Sequence, residues 1–153
     1  TVDVGTEYFR IALTFFILGL GMGLTMAPST TMVMDSIPSD KAGVGSATND
    51  ASREIGGALG IAIGGSVLNE IYQNELIVPE GLENFSPVAT ESFPAAMRIG
   101  GQLLSEGNML GSELMDNARL AFMEGMVGSA MVSAGVAFIT AILVKFYMPG
   151  KAK

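Results

Sequence analysis

Three uncharged stretches decide what this chain can become. No Lys, Arg, Asp or Glu occurs in residues 11–34, in residues 55–69 or in residues 125–144. A bilayer core of ~30 Å takes about 20 mostly apolar helical residues. The first and last stretches reach that length unaided. The middle one reaches it once the polar turns ahead of it are counted. The sequence therefore predicts three transmembrane helices, over residues 8–34, 42–72 and 119–147, in an all-α membrane protein. Only 15% of the chain is charged, against about 25% in a soluble domain. Its mean hydropathy of +0.47 comes from these three runs.

The same composition closes off several functions. Cys and His are both absent. A disulfide framework, a Cys/His zinc site and a Ser-His-Asp triad are excluded with them. The net charge is −7, and the eight Lys and Arg are scattered, so nothing forms the basic face that nucleic acid requires. No spacing of Ser, Thr, Asp or Glu supplies an activated nucleophile, a metal cage or a phosphate cradle. The expectation is a protein that is not an enzyme, with no catalytic residue, no metal and no cofactor. The string Gly19-x-Gly21-x-Gly23 invites a dinucleotide reading, but no strand precedes it. The first apolar run is too long for a signal peptide, and Asp3 and Glu7 oppose the positive start such a peptide needs.

Residues 73–118 separate the second and third spans. They hold Pro79, Pro87 and Pro94, many Glu and scattered Gly. A connection of this length with no structure of its own is uncommon. A short helix is expected near residues 94–104, with Pro in its first turn, and a second helical stretch from Gly111 leading into span three. Lys and Arg near span ends favour the cytoplasm. Lys41, Arg53, Lys145, Lys151 and Lys153 fall on one side, and Arg10, Arg98 and Arg119 on the other. That bias puts the N-terminus and the long acidic loop outside the cell membrane. It puts the C-terminal tail, residues 148–153, inside.

At 100° per residue each span shows two unlike sides. Span two gathers Gly57, Ile61, Gly64 and Leu68 below Asp50 and Arg53, opposite Ile55, Leu59, Ala62 and Ile63. Small residues allow close helix contact in lipid, and Gly56-x-x-x-Gly60 and Gly60-x-x-x-Gly64 have that spacing. Whether the partner helix belongs to this chain stays open. Span one gathers Gly19, Met22, Gly23 and Met26. Pro28 removes one helical hydrogen bond and is expected to kink it. Met suits surfaces that accept varied ligands, and it also simply fills helix contacts. Asp50 and Arg53 stand three residues apart and can pair. Such a pair is either structural or part of a transport relay, because charge inside a membrane is costly and often functional.

The block Gly19-Leu-Gly-Met-Gly-Leu-Thr-Met-Ala-Pro28 is followed by Ile37-Pro38. Then comes Ala42-Gly-Val-Gly-Ser-Ala-Thr-Asn-Asp-Ala-Ser-Arg53-Glu-Ile-Gly-Gly-Ala-Leu-Gly-Ile-Ala-Ile-Gly-Gly-Ser66. Together they resemble the late part of fourteen-span drug:proton antiporters of the major facilitator superfamily. The segment Ala118-Arg119-Leu-Ala-Phe122-Met-Glu-Gly125-Met126 is similar to the entry into their last helix. Glu54 stands where many members carry Gln. The resemblance implies the last three helices of a major-facilitator bundle, with a long, partly helical extracytoplasmic loop. The whole protein would be a proton-driven exporter of lipophilic or cationic compounds. Its partners would be the lipid bilayer, the remaining transmembrane helices, small lipophilic or cationic substrates, and protons. Alternating access needs two halves, so three helices alone are expected to be inactive. The first residue is Thr rather than Met, which fits a C-terminal part. The alternative is an autonomous small membrane protein acting as a structural or regulatory partner.

Overall fold

A computed structural model describes residues 4–147, with side chains from residue 8 onward. The expected tail at residues 148–153 lies outside the described residues. Five α-helices follow one another: α1 (Val4–Asp35), α2 (Ala42–Glu75), α3 (Ser86–Glu91), α4 (Phe93–Ser105) and α5 (Leu110–Tyr147). Single 3₁₀ turns at Ser39–Lys41 and Glu83–Phe85 lead into α2 and α3. Among the described residues three helical segments are long and apolar enough to cross a membrane: Tyr8–Asp35, Ser39–Glu75 and Leu110–Tyr147. Almost nothing in their apolar windows is buried. Phe15, Leu24, Ile61 and Phe146 all stand exposed. In water such a surface would draw the helices together or to other molecules, since burying a large apolar side chain is worth about 1.5–3 kcal/mol. In hydrocarbon no such drive exists. These bare helices support a multi-pass membrane protein.

Backbone chemistry agrees with that solvent. The hydroxyls of Thr14, Thr25, Thr31, Thr48 and Ser52 each donate to the carbonyl four residues earlier. A hydroxyl satisfied by its own helix can face lipid without leaving an unpaired donor. Across Pro28, α1 runs on as one helix to Asp35.

The molecule divides into two units, residues 1–57 and 58–153. In the first, the link after α1 turns through Ser36 and Ile37, whose amides donate to the Val33 and Met34 carbonyls. Ile37 then folds back onto Gly45 of α2, where any side chain on the glycine would collide with it. Gly45 is buried there.

The second unit holds the hydrophobic core. Every buried apolar side chain among the described residues falls between Tyr72 and Ala121. At 1.5 Å per residue α5 is about 57 Å long, far more than the ~30 Å hydrocarbon needs. Its first turns, with the end of α2, form a compact cap beyond the span. Residues 73–118 were expected to be a partly helical loop, with a short helix near residues 94–104 and a helical stretch from Gly111. The structure adds more helix than that: α2 continues to Glu75, α3 precedes α4, and α5 is helical from Leu110. The expected helix at 94–104 appears as Phe93–Ser105.

Local signals explain the cap's turns. Pro79 to Leu82 closes with the Leu82 amide donating to the Pro79 carbonyl at 3.1 Å. Gly81 takes φ +95° at the position where such a turn requires it. At the end of α4 the Asn108 amide reaches back to the Leu103 carbonyl and the Gly107 amide to that of Leu104. Gly107, at φ +82°, is the left-handed stop of this pattern. The Asn108 side chain then accepts the Leu110 amide at 3.0 Å, capping the start of α5.

Candidate functional site

Consider first the charged end of α2. Asp50, Arg53 and Glu54 occupy adjacent turns of one helix and line an open recess of about 490 Å³. Asp50 and Arg53, which their spacing allows to pair, are not among the ion pairs of the described residues. The ion pair present among the described residues is Arg119–Asp116, at 2.7 Å and well exposed. Arg53 instead sends Nη2 to the sulfur of Met26 on α1, at 3.7 Å. Intrahelical spacing allowed the ion pair, but spacing alone does not choose a rotamer. The guanidinium turns across to the neighbouring helix, where a thioether offers a weak acceptor. Arg53 thus touches Met26 on one side and shares the recess with Asp50 and Glu54 on the other. Met22, one turn before Met26 on α1, is exposed.

The glycines separate into two groups. Gly19, Gly21, Gly23, Gly56, Gly57 and Gly60 have open space where a side chain would stand. Gly64 is different: the Ser129 hydroxyl of α5 donates to its carbonyl at 2.9 Å. Close by, a side chain on Gly125 would fall 2.7 Å from the Leu68 carbonyl oxygen, and one on Gly128 would collide with Ile71. Gly64 therefore finds its partner within this chain. Sequence reasoning missed Gly125, Gly128 and Ser129, although small residues at intervals of three to four along span three carried the signal.

Sequence reasoning also missed the cap's closing contacts. The Tyr72 hydroxyl donates to the Ala89 carbonyl at 2.9 Å, and both residues are buried. Tyr72 meets Phe93 edge to face at 6.4 Å, and Phe93 stacks on Phe122 at 4.5 Å. Asn117 donates to the Ile77 carbonyl at 2.9 Å. In α4 and α5 the backbones approach so closely that a side chain on Gly100 would stand 2.7 Å from the Gly111 carbonyl oxygen. On the surface, the Glu83 carboxylate accepts the Gly81 amide at 2.9 Å. That hydrogen bond holds Glu83 below the usual carboxylate range.

Known proteins with similar sequences include multidrug efflux and resistance proteins. The multidrug efflux pump LfrA of Mycolicibacterium smegmatis is 29% identical over 135 residues, which is 88% of this chain and 26% of that protein. The multidrug transporter protein MdtP of Bacillus subtilis is 26% identical over 93% of this chain and 31% of its own length. The methyl viologen resistance protein SmvA of Salmonella typhimurium is 27% identical over 78% of this chain and 24% of its own length. The chain thus spans about a quarter to a third of the length of these relatives. No protein-family model and no solved structure matches it. The chain has partial homology to multidrug efflux and resistance transporters. Among the described residues no three His, Cys, Asp or Glu side chains gather as a metal site would need.

Proposed function

We propose that this chain forms the last three helices of a proton-driven multidrug exporter of the major facilitator superfamily, with fourteen spans in the whole protein. One observation carries the reading. Three membrane-length helices keep their apolar surfaces and most of their glycine sides uncovered, in a chain similar to about a quarter of a multidrug efflux pump. The missing neighbours are then the exporter's other helices, which seat on Gly19, Gly23, Gly57 and Gly60. The N-terminus and the cap face outward, and the C-terminus faces the cytoplasm, as the Lys and Arg bias favours.

Within this reading Asp50, Arg53, Met22 and Met26 line the transport pathway or its coupling site. Asp50 has no cationic partner within ion-pair distance among the described residues. A carboxylate so placed in a membrane helix serves to carry a proton or to meet a cationic substrate. Arg53 leans on Met26, and the flexible thioethers of Met22 and Met26 suit lipophilic compounds of varied shape. Pro28 bends span one beside them, and the freed carbonyl is satisfied by a neighbour or by water. Transport needs the other half of the protein, so the chain alone is inactive.

The test uses the complete reading frame expressed in a drug-sensitive bacterium, with dye efflux followed as the proton gradient is collapsed. Gradient-dependent efflux that Asp50→Asn abolishes at unchanged protein level is the expected result. Efflux indifferent to the gradient, or full activity in Asp50→Asn, removes the coupling role. Resistance conferred by these 153 residues alone sinks the reading as a whole.

A further inference from the structure

We infer that the cap is a clasp: it fixes the spacing of the outer halves of α2 and α5, so that the two helices move as one body. The case starts from where burial occurs. Residues 58–71 of α2 and residues 122–147 of α5 bury no large apolar side chain, whereas between them Tyr72, Leu82 and Leu114 are buried almost completely. Buried apolar packing in this unit is therefore concentrated in the cap.

Both span ends are built into that core rather than hung beneath it. Tyr72, in the last turn of α2, is tied by its hydroxyl to Ala89 and by its ring to Phe93. Phe93 in turn stacks on Phe122 of α5. Asn117 of α5 holds the Ile77 carbonyl, just past the end of α2. Each connection runs from one span end, through the cap, to the other. Immediately below, the helices touch at Leu68 with Gly125, Ile71 with Gly128, and Gly64 with Ser129. Two of these contacts reach a backbone oxygen of α2, that of Leu68 and that of Gly64. A hinged lid would meet its base through a few exposed contacts. Here the connecting segment shares one buried core with the helices it joins.

The chain has no Cys, so an introduced pair is unambiguous. A Cβ on Gly64 would stand 3.2 Å from the Ser129 hydroxyl, close enough for Gly64→Cys with Ser129→Cys to form a disulfide. The pair is placed in the full 153-residue chain, in nanodiscs of phosphatidylethanolamine and phosphatidylglycerol. The clasp predicts rapid, near-complete oxidation. Adding Tyr72→Phe, which leaves the buried Ala89 carbonyl unpaired, should slow it by about tenfold. An unchanged rate in that variant overturns the inference. Hydrogen exchange on the unsubstituted chain supplies a second measure that needs no variant. Amides of Ile99–Leu103 in α4 and of Leu114–Ala121 in α5 should open together, with matching protection. Amides of α4 exchanging freely while those of α5 stay protected would show a loose flap, and the clasp would be wrong.

Discussion

The Ser129 hydroxyl of α5 donates to the Gly64 carbonyl of α2 across 2.9 Å, although 65 residues separate them. The bond exists because Gly64 has no side chain to hold the helices apart. Gly64→Leu should remove it and wedge the crossing open. Overpacking of this kind costs about 1–3 kcal/mol. Thermal unfolding in mild detergent would read the loss, and an unchanged midpoint would contradict the crossing.

The two groups of glycines should respond in opposite directions. Gly100→Ala pushes a methyl toward the Gly111 carbonyl oxygen, 2.7 Å away, and should destabilise the cap by about 1–3 kcal/mol. Gly19→Ala and Gly23→Ala meet open space and should leave this chain unharmed, or steadier by up to about 1 kcal/mol through helix propensity. If the open sides receive other helices of an exporter, Gly23→Leu and Gly60→Leu should impair efflux by the complete protein while sparing this chain. Full efflux in both would remove that role for the glycine sides.

Arg53 and Met26 should be energetically coupled. A double-mutant cycle with Arg53→Gln and Met26→Leu isolates their contact from their separate effects. A coupling of about 0.5 kcal/mol is expected, the low end for touching residues, because a thioether is a weak acceptor. Strict additivity would mean that the contact across 3.7 Å does not persist in the bilayer.

Glu83 offers a pH-dependent probe of the cap's first turn. Its carboxylate form accepts the Gly81 amide, so its pKa in the folded cap lies below the ordinary carboxylate value. A group lowered on folding contributes stability above its unfolded pKa and loses that contribution as pH falls through the folded one. The turn should thus hold at neutral pH and loosen only in acid. A carbon NMR titration of Glu83 should give a midpoint below that of glutamate in a short peptide. A midpoint equal to the peptide's would place the carboxylate away from the amide.

Much of the architecture was legible because the signals were long. Uncharged runs of membrane length need no partner to declare themselves, and Pro94 marked the start of α4 by its fixed φ. The cap was not legible as a packed unit. Its core residues, such as Ala89, Ala96, Ala118 and Ala121, are small and common, and their burial depends on which helices meet. Gly100 and Gly111 were placed on expected helices, but nothing in the sequence showed that those helices would meet there until α4 folded back against α5. At the charged end of α2, spacing placed Asp50 within reach of Arg53. It could not reveal that Met26, 27 residues earlier, would take the guanidinium.

Membrane topology tests the central claim most directly. In the cysteine-free chain, single cysteines are placed at Ser39 in the link, at Asn84 in the cap and at Ile61 within span two. Sealed vesicles are then treated with a membrane-impermeant maleimide. The account predicts that Ser39→Cys and Asn84→Cys react from opposite faces and that Ile61→Cys stays unreactive until the vesicles are dissolved. Labelling of Ser39→Cys and Asn84→Cys from the same face, with Ile61→Cys equally reactive, would show that α2 does not cross the bilayer.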